Sequence, residues 1–301
     1  MNPQISDTRV SRSLQLLLRG LIDYAGLFPP AGLGMPAAVT NYDQYLRSEH
    51  AWMLGRFIVP AVRLHDFEEA MRQLPPDAAR RWGLSVLLGN DAGGDVASVR
   101  AFSSKKEAVV ESVEAKVSTA EDVKRLRAMT PDNVSLFCEV PLNERERECI
   151  SAVAECGAQA KIRTGGETAD KFPTPAQVVE FVKLCLGAKV PFKATAGLHH
   201  PLRSVHRLTY LPDSDSALMH GFLNVFLAAA FLQTGMTSEA AIELLEEGSP
   251  KAIRFTADGI TWRGHEVKEA EIAAARQGFS ISFGSCSFTE PVADLQSLGL
   301  L

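Results

Sequence analysis

The sequence predicts an α/β chain folded as a (β/α)8 TIM barrel, with an inserted helix and hairpin segment between the last two strands. Three observations predict it. Eight short, mostly apolar runs recur along the chain, and helical patterns fall between several of them. Two lysines, Lys161 and Lys193, stand late in consecutive runs about 32 residues apart, the length of one strand plus one helix. An open doubly wound sheet usually carries a glycine-rich phosphate loop after its first strand. Here the stretch from Gly26 to Gly34 does not match GxGxxG.

The eight runs are Leu21–Phe28, Arg56–Arg63, Gly83–Leu88, Val109–Val117, Val134–Val140, Gln159–Thr164, Pro191–Ala196 and Ser280–Ser285. Helical patterns cover Asp66–Gln73, Ala120–Met129, Glu144–Cys156 and Thr174–Leu186. The last opens on Thr174-Pro175, a capping residue followed by proline at the first helical position. From about 203 to 277 the rhythm changes. This stretch holds an apolar helix, a second helix over Ser238–Glu247, a hairpin over Ile253–Trp262 turning at Asp258-Gly259, and an acidic helix. It reads as an insertion acting as lid, interface or both, within a single domain spanning 1–301.

Composition narrows the function classes. The chain is 46% hydrophobic and 22% charged, an ordinary globular balance. A net charge of −5, without a polybasic run, gives no reason to expect nucleic acid. The most apolar stretch, Ala217–Leu232, contains His220 and Asn224 and is too short for a bilayer span. It reads as a buried helix or as a homo-oligomer interface. Five cysteines without a CxxC pair suit reduced thiols in a cytoplasmic protein. Leu14–Leu18 is too short for the core of a signal peptide.

Strand parity indicates where chemistry gathers. If Lys161 points into the barrel, so do Gln159 and Arg163, while Ala160 and Ile162 face the helices. If Lys193 points inward, so does Thr195. Glu114 shares its phase with Lys116, and Glu139 lies near the end of the next strand. Asp23 adds an acid on the first. Two lysines held together invite imine chemistry, with Lys193 lowering the pKa of Lys161 by like-charge proximity. Glu114 would then shuttle protons. The last strand closes on Gly284, Ser285, Cys286 and Ser287, a small-residue turn suited to an anionic or hydroxylated substrate end. A metal site is the alternative, drawing on Glu139, His199, His200 and His220. So is a barrel that binds a small molecule without catalysis.

These residues resemble the deoxyribose-phosphate aldolase family of class I aldolases. Lys161-Ile-Arg-Thr164-Gly165 matches its Lys-x-x-Thr-Gly motif, and Phe192-Lys193-Ala-Thr-Ala196-Gly197 matches in part its Phe-Lys-x-x-Gly-Gly motif. The match covers about 157–202, and the final strand at 280–287 is similar as well. The resemblance implies a (β/α)8 barrel with a Schiff base on Lys161, Lys193 beside it, and the family's catalytic aspartate replaced by Glu114. It implies a small carbonyl substrate, no cofactor, no nucleic acid and no membrane. Asp23, Glu139, Arg163, Thr164, Gly165, Thr195, Gly197, Gly284, Ser285 and Ser287 are its candidate substrate contacts. Four departures stand out: Glu at 114, Ala at 196, the acidic Glu167 where a basic residue is usual, and Cys286 within the serine pair.

Overall fold

A computed structural model describes residues 10–76, 81–102 and 108–301. Helix α1 (Arg12–Leu18) precedes β1 (Ile22–Tyr24), and the chain then alternates through α2 (Met35–Leu46), β2 (Leu54–Pro60), α3 (Leu64–Arg72) and β3 (Trp82–Leu87). It continues through α4 (Ala92–Phe102), β4 (Ala108–Lys116), α5 (Ala120–Met129), β5 (Ser135–Glu139) and α6 (Glu146–Glu155). Strand β6 (Gln159–Arg163), α7 (Pro175–Ala188) and β7 (Phe192–Thr195) follow. After β7 come a hairpin, β8 (Ser204–Arg207) and β9 (Ser216–Met219), and two helices, α8 (Phe222–Gln233) and α9 (Ser238–Glu246). A meander of β10 (Ile253–Phe255), β11 (Gly259–Trp262) and β12 (His265–Lys268) leads to α10 (Glu269–Gly278), β13 (Ser280–Ser285) and α11 (Thr289–Ser297).

Eight strands close into one parallel barrel, in the ring order β1-β13-β7-β6-β5-β4-β3-β2. Each coincides with one of the eight runs expected from sequence. Only the ends differ: β1 stops at Tyr24, and Ala25–Pro30 becomes a loop at the barrel mouth. Parity holds because a closed barrel has two environments. On β6 and β7, Ala160, Ile162, Phe192 and Ala194 are buried under helices, while Lys161 and Lys193 point into the interior. Local capping agrees with this layout. Thr174 and Gln177 form a reciprocal capping box at the start of α7, and Thr119 and Asp122 do the same for α5.

The segment between β7 and β13 divides its work. Only the β8–β9 hairpin stands over the mouth, through Arg207, Leu208, Thr209, Tyr210 and Met219. Helices α8 and α10 pack on β13, and α8 also lies against α7 and α9. Of the two readings, the structure shows the buried helix for Ala217–Leu232. Its first residues belong to β9, and Phe222 through Leu232 are all buried within this one chain. The apolar sides of the helix are covered by neighbouring elements of the same chain. Asn224 fits there because its amide is satisfied. It donates to Leu244 O and Glu247 O at 2.8 Å each and accepts from the Arg203 amide at 3.0 Å.

The barrel's other end is closed by Arg276. Its guanidinium donates to Leu17 O at 2.8 Å, Ile281 O at 2.6 Å and Arg19 O at 3.1 Å, and also to Ser280 O. It thereby ties α1 and α10 to the start of β13. Among the described residues, no helix is long and apolar enough to cross a membrane.

Candidate active site

Register brings the charged residues to one level. Lys161 on β6 is the register partner of Lys193 on β7 and of Glu139 on β5. Glu114 reaches the same place from β4, and Asp23 from β1. The carboxylate of Glu114 bridges the two lysines: Lys193 Nζ donates to Oε1 at 2.6 Å and Lys161 Nζ to Oε2 at 3.0 Å. Lys193 also donates to Asp23 Oδ2 at 2.6 Å. Lys161 Nζ lies 2.8 Å from Glu139 Oε2, an ion pair outside good hydrogen-bond geometry. Arg163 Nε completes the chain at 2.9 Å from Glu139 Oε1. Three carboxylates thus face two ammonium groups and a guanidinium, and the charges balance.

Small hydroxyl residues hold the carboxylates from below. Ser85 donates to Glu114 Oε1 at 2.6 Å, and Ser112 donates to Ser85 at 2.7 Å. Ser282 donates to Asp23 Oδ2 at 2.7 Å, and the Arg56 amide donates to Asp23 Oδ1 at 2.8 Å. These serines were missed in the sequence. The available signal was parity, because Ser112 is in phase with Glu114 and Ser282 with Gly284.

The two lysines are not equivalent. A cavity of about 570 Å³ opens at the C-terminal ends of the strands, and Lys161, Glu114, Glu139 and Arg163 line it. Lys193 does not reach it. Its side chain is 0% exposed and sits beneath the cavity, 5.4 Å from the Phe137 ring centroid. Asp23 is likewise sealed below.

The electrostatics reverse one expectation. Burial pushes the Lys161 pKa down, but the carboxylates of Glu114 and Glu139 outweigh it, and the net shift is upward. Lys193 therefore does not prime Lys161 by lowering its pKa, because the carboxylates between and beside the two lysines dominate. Burial opposes the charged form of Glu114 as well. Lys193 and Lys161 outweigh it and hold that carboxyl well below the ordinary range. Lys161 and then Arg163 lower Glu139 in the same way, again against burial.

The remaining candidates separate into cavity wall and framework. Thr195, Gly197 and Gly284 line the cavity. Thr164 locks β6 to β7 instead, its hydroxyl donating to Ala196 O at 2.6 Å. Gly165 and Gly197 touch backbone to backbone, so a Cβ on Gly165 would fall 2.8 Å from the Gly197 Cα. Ala196 adopts φ 64°, a left-handed conformation that favours glycine, the residue usual there in the family resembled. Ser285 and Ser287 do not form an anion nest. Ser285 donates to Ser287 O at 2.6 Å, and the Ser287 hydroxyl accepts from the Glu290 amide at 3.1 Å, so both serve the entry to α11.

The proposed metal ligands do not converge either. Glu139 is held by Lys161 and Arg163, His200 faces Asp294 at 2.6 Å, and His220 meets Pro173 O at 2.7 Å. Among the described residues, no group of three His, Cys, Asp or Glu side chains is placed to hold a metal ion. His199 lies at the cavity rim, its ring centroid 6.5 Å from that of His200 and its Nδ1 beside Cys286.

Fold and site together define a (β/α)8 barrel with a buried, charge-balanced cluster of lysines and carboxylates under its mouth. The sequence matches no protein-family model, and no curated protein matches it significantly.

Proposed function

We propose that this chain is a class I aldolase-like lyase in which Lys161 forms a Schiff base with a small aldehyde or ketone. One observation carries the reading: of the two buried lysines, Lys161 alone borders the cavity, and it does so between two carboxylates. A resting ammonium cannot attack a carbonyl, so its proton must first leave. Glu139 Oε2, 2.8 Å away and without a hydrogen-bond donor of its own, is the acceptor this reading assigns. The neutral amine then adds to the carbonyl carbon, and the carboxyl returns the proton to the developing hydroxyl. The same carboxylate then takes the extra proton from the adduct's nitrogen and passes it to that hydroxyl, which leaves as water and yields the iminium ion. Glu114 holds the Lys193 side chain beneath it at 2.6 Å and so fixes the floor's geometry.

The test is borohydride reduction in the presence of a panel of small aldehydes and ketones, followed by peptide mass mapping. The expected result is a mass increment on Lys161, absent in Lys161→Met. Because the Lys161 pKa is raised, imine formation should still be climbing with pH at and beyond the ordinary lysine value of about 10.4. No increment on Lys161 with any carbonyl at any pH would defeat the reading.

A second reading is favoured by the same ion pairs. With Lys161 pinned as an ammonium by two carboxylates, the barrel would bind a small polar molecule without transforming it. Ligand-induced stabilisation of Lys161→Met equal to that of the native protein would support this alternative.

A further inference from the structure

A second polar cluster stands above the lysines, where β7 and β13 end. His199 Nδ1 lies 3.3 Å from Ser285 Oγ, 3.7 Å from Cys286 Sγ and 3.6 Å from Glu290 Oε2. The neighbours of Nδ1 favour one histidine tautomer. Ser285 gives its only hydroxyl proton to Ser287 O at 2.6 Å, so toward His199 it can only accept. Glu290 Oε2 at 3.6 Å is a second acceptor on that side, and only the weakly donating Cys286 thiol opposes them, so these neighbours favour the hydrogen on Nδ1 and leave Nε2 a lone pair. The ring lines the cavity, and Nε2 has no hydrogen-bond partner among the described residues. Burial, with His200 and His206 adding to it, lowers the His199 pKa to about 4, so the ring is neutral at neutral pH.

The rest of this rim also accepts hydrogen bonds. Tyr210 gives its hydroxyl proton to Glu290 Oε2 at 3.2 Å. Glu290 itself lines the cavity as a carboxyl group. The cations of the wall lie elsewhere. Lys116 is on β4, directly across the ring from β13, and Arg163 is tied to Glu139. Lys171 sits beside Asp170 at 3.5 Å, and Arg207 is exposed on the hairpin.

We propose that the site takes a carbonyl compound whose far end is a neutral hydroxyl, donated to His199 Nε2, and that it disfavours the phosphate ester of the same compound. This rests on the reading that Lys161 holds the carbonyl end. A phosphate at this rim would face a lone pair and a carboxyl group, with no fixed cation to receive it. A hydroxyl meets an acceptor whose alternative is to stay unpaired. Register sets the substrate length. Lys161 is level with Lys193, Thr195 with Gly284, and Cys286 lies two residues further on. Four residues of strand are roughly 13 Å before tilt, so a molecule reaching both ends is a chain of several carbons.

The experiment compares three methyl ketones: pentanone, its terminally hydroxylated derivative, and the phosphate ester of that derivative. Borohydride-fixed adduct on Lys161 is measured against ketone concentration. The hydroxylated ketone is expected to half-saturate at a concentration about tenfold below that of pentanone, one neutral hydrogen bond's worth, and the ester above both. His199→Leu should erase the difference between the first two, and His199→Gln, which keeps an acceptor oxygen, should retain part of it. A preference for the ester, or a hydroxyl preference that survives in His199→Leu, overturns the proposal. If no ketone marks Lys161, the imine reading fails by itself, and saturation-transfer NMR with pentanediol decides the rim. A signal lost in His199→Leu supports the hydroxyl site. A signal unchanged by the substitution, or absent from the native protein, overturns it.

Discussion

The floor of the barrel and the hairpin over its mouth are opposites. On the floor, Lys161, Lys193, Glu114 and Glu139 each meet at least two oppositely charged groups, and their side chains are at most 8% exposed. The β8–β9 hairpin instead presents Val205 at 66%, Leu211 at 63% and Leu218 at 47% to solvent. It is anchored by a small apolar group of Leu208, Ala217 and Met219 against Phe172, and by the Tyr210–Glu290 hydrogen bond. A two-stranded ribbon has little stability of its own. A buried charge network cannot lose one member without leaving another unpaired. Chemistry that requires fixed geometry belongs on the floor, and discrimination among substrates belongs at the rim.

The sharpest way to break this contrast is to remove the sealed lysine. Lys193→Met leaves Asp23 without a cation and strips Glu114 of one of its two. It should lower the unfolding free energy by about 3–5 kcal/mol, read from urea denaturation. Lys161→Met should cost distinctly less, because Glu114 keeps Lys193 and Glu139 keeps Arg163. Equal losses would mean that the two lysines do not divide structural and chemical roles.

Acid should act on the floor next. Glu114 and Glu139 have folded pKa values below their unfolded ones, so their stabilisation is fully present above the unfolded value of about 4.3. It is lost as pH falls through the lowered folded values. Urea midpoints measured at neutral pH and near pH 3 should differ strongly in the native protein, and the difference should shrink in Glu114→Gln. The smallest effect belongs to the hairpin. Leu218→Ser, on its solvent face, should change stability by no more than about 0.5 kcal/mol and leave the acid response unaltered. A larger loss would show that the hairpin's outer face is covered in solution.

Much of the scaffold was legible in the chain. The eight runs became the eight barrel strands because a strand buried on both sides is a short, nearly continuous apolar run with turn signals at its ends. Parity grouped Lys161 with Arg163, Lys193 with Thr195 and Glu114 with Lys116, while Asp23 entered only as an acid on the first strand. The serine-ended last strand misled. Ser285 and Ser287 read as anion ligands, yet their hydroxyls are drawn into the turn that starts α11. Hydrogen bonds of that kind depend on where the following helix begins. The apolar run at Ala217–Leu232 left two readings open, because hydropathy reports that a segment is covered and not which part of the molecule covers it.

The sequence by itself determined the strand count, the inward phase of the two lysines and their common level, since each follows from periodicity and from the length of one strand–helix unit. Tertiary structure decided which carboxylate each lysine meets. Closure of the ring sets β1 beside β13, bringing Ser282 to Asp23 across 259 residues of sequence. The side-by-side pairing of β4, β5 and β6 reversed the sign of the Lys161 pKa shift. Two lysines alone repel and favour a neutral amine, but with Glu114 between them and Glu139 alongside, attraction outweighs both repulsion and burial. Only folding could assemble that balance, because Coulomb interactions depend on distances in space and the residues involved lie on separate strands.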